Sequence, residues 1–163
     1  MATVYPVAGC KISIGAAVDL PTGDLTASDF SSVTWTEIKG WETMGAMGDT
    51  SALITTSLIG ENRDLKMKGT RNAGQMQANF AVMAADAGQI ALVAAAATNS
   101  NYPFKIELND KPSAGASPKN SLRYFYGLVM GVPEQGGNAN TVRMLNAVIE
   151  INTNIVRVAA SAT

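Results

Sequence analysis

A hydrophobic period of two runs through most of this chain and restricts it to a largely β fold. Ile12, Ile14 and Ala16 alternate with Lys11, Ser13 and Gly15, and Leu65 and Met67 with Asp64, Lys66 and Lys68. Met76, Ala78, Phe80 and Val82 alternate with Gln75, Gln77 and Asn79, and Phe104, Ile106 and Leu108 with Lys105, Glu107 and Asn109. Successive side chains on a strand point to opposite faces, so each segment reads as a strand with one buried and one wetter side.

Leu122–Val132 and Thr141–Ile151 differ in being apolar on both faces. Leu122, Tyr124, Tyr126, Leu128 and Met130 share one side of the first, with Phe125 and Val129 on the other. In the second, Leu145, Ala147, Ile149 and Ile151 oppose Val142, Met144 and Val148. Such strands must be covered twice, by the chain's own helix or by another subunit. Glu134-Gln135-Gly136-Gly137-Asn138 has the composition of the hairpin turn between them. One helix is expected at Ala87–Ala97, capped by Asp86, with Ile90, Val93, Ala94 and Ala97 as its buried stripe. The expected class is α+β, mostly antiparallel β.

Four stretches read as irregular: Met1–Gly9, Leu20–Ser32, Gly45–Asn62 and Asn109–Ser121. In the third, Gly45, Gly48 and Gly60 bracket a Thr/Ser-rich run that holds Leu53, Ile54, Leu58 and Ile59. A loop this long inside one domain is usually functional, and aliphatics exposed on it need a cover. The chain reads as a single domain over 1–163, with an arm at 1–10, a long loop at 45–62 and a tail at 152–163.

Charged residues make up 15 % of the chain, against about 25 % in ordinary domains. A chain so poor in charge either loses surface to partners or wears an uncharged polar skin. The net charge of −1 and the scattered cations argue against a protein that grips nucleic acid, whose affinity comes from neutralised phosphates. The densest group, Arg63 to Arg71, is diluted by Asp64 and by apolar residues. Aromatic Tyr124, Phe125 and Tyr126 beside Arg123 suit a strand core better than a base-stacking platform, because no basic groove surrounds them.

With no His in the chain, triads, Cys–His pairs and His-based zinc sites are excluded. A lone Cys10 makes no internal disulfide and reads as a small, partly buried apolar side chain, with a reducing cytoplasm as the place of synthesis. Gly131-Val132-Pro133-Glu134-Gln135-Gly136 lacks the Lys-Ser/Thr of a phosphate loop. The acids are spread singly and read as caps, turns and solvated face, so neither catalytic nor metal-binding residues are expected and no cofactor is implied. The opening residues lack the basic and apolar regions of a signal peptide. The longest apolar run, Ile90–Ala97, is far shorter than the roughly 20 residues of a membrane helix, so a soluble chain is expected.

Trp35-Thr36-Glu37-Ile38-Lys39-Gly40-Trp41, followed by Gly45-Ala46-Met47-Gly48-Asp49, resembles the major tail tube proteins of long-tailed bacteriophages. The resemblance continues through Ile54-Thr55-Thr56-Ser57-Leu58, Leu65-Lys66-Met67-Lys68-Gly69, Asp86-Ala87-Gly88-Gln89, Tyr102–Leu108 and Phe125-Tyr126-Gly127. It covers about Cys10 to Ile151, and order and spacing carry more weight than any single motif. It implies two packed antiparallel sheets flanked by one helix, a fold shared with the type VI secretion tube. It further implies hexameric rings whose strands join into an inner barrel, stacked into a tube that conducts double-stranded DNA without binding it.

The same resemblance makes Gly45, Gly48, Leu53, Ile54, Leu58, Ile59 and Gly60, with the two termini, the inter-subunit and inter-ring contacts. The implied partners are further copies of the chain and the tape-measure, tail-terminator and distal tail proteins, with no membrane. The implied location is the virion tail, assembled in the host cytoplasm. The alternatives are a contractile or secretion-type tube with another cargo, a monomeric β-sandwich binding module, and, remotely, a carboxylate hydrolase.

Overall fold

The computed structural model describes residues 3–163, so Met1 and Ala2 of the expected arm lie outside the described residues. The strands are β1 (Lys11–Ile14), β2 (Thr36–Glu37), β3 (Trp41–Thr43), β4 (Thr50–Thr56), β5 (Leu65–Asn72), β6 (Gln75–Ala81), β7 (Tyr102–Glu107), β8 (Leu122–Gly131), β9 (Glu134–Gln135), β10 (Met144–Ile151) and β11 (Val156–Val158). The helix, α1, spans Ala87–Ala96, and Ala27–Phe30 forms one 3-10 turn. The expected class holds: mostly antiparallel β with a single helix.

Nine strands form one sheet in the order β2-β1-β7-β8-β10-β6-β3, with β11 added to β8 and β9 to β10, while β4 and β5 form a separate pair. The two packed sheets that the resemblance implies are here one curled nine-stranded sheet, with a second sheet of only two strands beside it. Its curl follows from connectivity. β2 and β3 end the order on opposite sides, yet only Ile38, Lys39 and Gly40 separate them in the chain. That link spans at most about 14 Å, so the two edges must be brought together.

The seam is held by backbone bonds from Ile38 N–H to the Ile12 carbonyl at 2.9 Å and from Ala81 N–H to the Gly40 carbonyl at 2.7 Å. Gly40 sits at φ +77°, and a Cβ there would press on the Ala81 carbonyl, so the position requires glycine. Ile38 is buried in the core with Ile12, Phe80, Phe104, Phe125 and Ile149.

Gln89 of α1 completes the seam. Its Nε2 donates to the carbonyls of Lys39 and Ala81, and its Oε1 accepts from Met83 N–H, all at 2.8 Å. Asp86 caps the helix by accepting from Gln89 N–H at 2.9 Å, as the sequence predicts. The expected buried face is wrong. Gly88, Gln89, Leu92 and Ala95 face inward, whereas Ile90 is 57 % and Val93 49 % exposed. Two apolar stripes compete on a helix without a charged residue, and the seam bonds of Gln89 decide between them.

The two-faced strand β8 is covered on both sides within the chain, by α1 on one, as one of the two expectations had it, and by the turn at Ala27–Phe30 on the other. Phe125 and Val129 enter the main core, while Tyr126 packs with Leu25 and Phe30 on the other side, joined by Tyr124 and Trp35. The Phe30 ring stacks on Tyr124 at 4.8 Å. Leu20–Ser32, expected as an irregular loop, therefore carries a structured turn, capped by Thr26 and Asp29. Burial raises the phenol pKa values of Tyr124 and Tyr126. The residues of the expected tail are also used: β11 pairs with β8, and Ser161 bridges to Lys119. The expected turn at Glu134–Asn138 begins instead with β9, which pairs with β10, so the chain reverses beyond Gln135.

Candidate assembly surfaces

Gly45–Asn62 is not one irregular loop, as expected from its sequence. Thr50–Thr56 forms β4 and pairs with β5, so the unit is a hairpin running from Thr50 to Asn72. The three Thr residues and Ile54 of β4 favour a strand, but both of its faces are mixed, which hides the period of two. The pairing Leu53↔Lys68, Ile54↔Met67, Thr55↔Lys66 and Thr56↔Leu65 fixes what each face carries. Directly opposed residues share a side. One face therefore holds Ile54, Leu65 and Met67. The other holds Leu53, Lys66 and Lys68, continued past a bulge by Arg71 opposite Ser51.

Every residue of β4 is exposed, and on β5 only Gly69 is partly covered. Neither strand pairs with the main sheet. A two-stranded hairpin alone is marginal in water, and free strand edges invite pairing with another chain. At the tip, Ser57 Oγ donates to Asp64 at 2.6 Å and Glu61 N–H to the Leu58 carbonyl at 3.0 Å. This turn leaves Leu58 exposed and Ile59 wholly so.

The structure thus divides the seven residues singled out by sequence. Ile54 and Leu53 point from opposite faces, and Leu58, Ile59 and Gly60 belong to the tip. Gly45 lies at the root, where a Cβ would strike the Gln77 backbone; Gly48, at φ +150°, leads into β4. Gly60 stands in open space with no geometric demand for glycine. The sequence reading missed the gathering of cations. Lys66, Lys68 and Arg71 look diluted along the chain, but the register collects them on one face. Among the described residues the ion pairs are Lys11–Glu37 at 3.7 Å and Arg143–Glu134 at 2.6 Å, so the hairpin cations have none.

Three more surfaces stand out. The other face of β6 and β10 carries Gln75, Gln77, Asn79, Asn146 and Glu150 interleaved with Ala81, Met144 and Val148. It is a mixed face, rich in amides, with a single carboxylate and no cation, and the apolar pair expected to need a cover is only half-buried there. The outer face of α1 borders an apolar groove of about 260 Å³ lined by Val82, Met83, Ile90, Val93 and Leu145. At the hairpin's root a polar cleft of about 580 Å³ takes in Asp24, Asp49, Arg71 and Asn154.

Three acids serve the backbone and its turns. Asp86 caps α1. A backbone N–H from Thr26 lowers the pKa of Asp29, and the Ser121 hydroxyl, at 2.5 Å, lowers that of Asp110. These hydrogen bonds favour the carboxylate form. Among the described residues no three His, Cys, Asp or Glu side chains are grouped so as to hold a metal. Among the described residues no helix is long and apolar enough to cross a membrane.

No protein-family model and no curated protein matches the chain. Solved structures do. The chain is similar to one from the anti-feeding prophage baseplate, with a TM-score of 0.70 and 13 % identity over 98 % of each chain. It is similar to one in the sheath/tube terminator of PVC, an extracellular contractile injection system, at TM-score 0.69 and 12 % identity, over 97 % of this chain and 99 % of that one. The SPP1 tail tube gives 0.64 at 13 % identity, covering 94 % and 80 %. At such low identity the likeness is one of fold, and the chain has the tail-tube fold.

Proposed function

We propose that this chain is a structural, non-catalytic tail subunit that assembles with further copies of itself into stacked hexameric rings. The rings form the tail tube of a phage, through which double-stranded DNA passes into the host. The observation that carries this reading is the β4–β5 hairpin, whose two faces and two outer edges are open. A pair of strands so poorly supported becomes stable by pairing and packing with another chain, and a contact between two different patches of one chain makes a ring where its rotation closes. Gly45, Gly48, Leu53, Ile54, Leu58, Ile59 and Gly60 belong to that contact region.

The amide-rich face of β6 and β10 suits a conduit. Amides outnumber Met144 and Val148 on it, and it lacks the cations that would hold phosphates. Tape-measure, tail-terminator and distal tail proteins are the further partners of such a tube, which is built in the bacterial cytoplasm and ends in the virion. A second reading, a tube of a contractile injection system, is favoured by the likeness to the anti-feeding prophage and PVC structures. Electron microscopy of concentrated protein tests the shared claim. Rings or tubes with a central channel are expected, and a persistently monomeric particle under all assembly conditions refutes it.

A further inference from the structure

The outer face of α1 lacks what an exposed helix ordinarily carries. Ala87, Ile90, Val93 and Ala94 lie on it, with Ala97 just beyond, and residues 87–97 include no charged side chain. A helix that is apolar all round is normally a buried one, and a contiguous apolar patch marks an interaction site. Met83 lines the adjoining groove and is itself exposed. The charges at the groove's rim, Glu134 and Arg143, are closed on each other at 2.6 Å. The surface therefore fits a neutral, aliphatic partner.

The same chain carries such a partner. Ile54, Leu65 and Met67 occupy one face of the hairpin, and the pairing register puts Lys66 and Lys68 on the other. Helix face and hairpin face are both open in the single chain, so they do not cover each other within it. We propose that the Ile54–Leu65–Met67 face of one copy packs on the Ile90–Val93 face of α1 in the next. This rests on the tube-subunit reading and names the surface that receives the hairpin.

A helix laid over one face of a sheet is a standard two-layer solution, and it would give the hairpin the second layer it lacks. Alanines at 87, 94 and 97 allow close approach. The contact joins two different patches, so it propagates head to tail and leaves the lysine face outward.

Two experiments test this. Ile90→Lys and Val93→Lys alter exposed positions, so circular dichroism and the melting temperature should stay at wild-type values. The subunit concentration needed for assembly should rise roughly tenfold or more, as for loss of an interface hot spot. Separately, Met67→Cys and Val93→Cys copies, both carrying Cys10→Ser, are mixed, assembled and oxidised. A disulfide-linked heterodimer is expected in the assembled fraction and not among monomers.

Tubes that form normally from the lysine variants overturn the proposal, including the case in which those tubes lose a separate sheath protein. So do wild-type-like tubes of the mixed cysteine copies without the disulfide. In these cases the tube reading stands. Failure of the wild-type chain to assemble removes both.

Discussion

Replacing Gln89 with leucine should unlatch the seam of the curled sheet. The side chain is 3 % exposed, and its amide makes three hydrogen bonds at 2.8 Å, to the carbonyls of Lys39 and Ala81 and from Met83 N–H. Each bond contributes about 1 kcal/mol net, so their loss costs about 3 kcal/mol. The added apolar burial of leucine returns less than about 1 kcal/mol. A net loss of about 2–3 kcal/mol is large against the 5–15 kcal/mol of a typical domain. For a chain of this size it should lower the melting temperature by roughly 5–10 °C.

Gln89→Glu should be worse, because its carboxylate has no proton to give the two carbonyls it faces. Urea titration gives the loss as a shift in midpoint at unchanged slope, and hydrogen exchange at Ala81 and Met83 localises it. A loss below about 1 kcal/mol for leucine, or glutamate no worse than leucine, would falsify the assignment of the seam to this amide.

Deleting the middle of the hairpin, around Leu53–Ile59, should leave a folded monomer, because β4 and β5 pair with no strand of the main sheet. Light scattering and electron microscopy should show no tube growth, and normal polymerisation would remove the contact role of this segment. Phe30→Ala should destabilise by about 3–5 kcal/mol, because it empties the cluster that covers the second face of β8. Chemical unfolding checks this, and a loss under about 1 kcal/mol would show that the turn is not a true cover.

The lowered pKa values of Asp29 and Asp110 predict acid sensitivity. Their contribution is complete above the ordinary carboxylate pKa of about 4 and is lost as pH falls through the lower folded values. Melting temperatures followed from neutral pH to about pH 2 should fall, and less steeply for Asp110→Asn. An unchanged slope in that variant would refute the role of the Ser121 bond.

Strand existence was legible wherever one face was apolar, as at Met76, Ala78 and Phe80, because burial of a single side imposes the alternation. It was not legible in β4, where Leu53 and Ile54 point to opposite faces and neither face enters the core. The cap at Asp86 was readable because it depends on neighbours in sequence. The orientation of α1 was not, because Gln89 is placed by Lys39, 50 positions away. Phe30 as the cover for Tyr124 was equally hidden, since stacking across that distance leaves no mark on local spacing. The cationic side of the hairpin needed the register, which a sequence read linearly does not contain.

The three-residue seam also settles how the body and its projection divide their tasks. Because β2 and β3 are short and brought together, the curled sheet has almost no template left at its ends for recruiting a foreign strand. Open strand edges are instead concentrated in the β4–β5 hairpin, which pairs with no strand of the body. On the proposed tube reading, exchanging Thr50–Asn72 together with the α1 face that receives it would rewrite which subunits join, while the curled sheet beneath keeps its strand order.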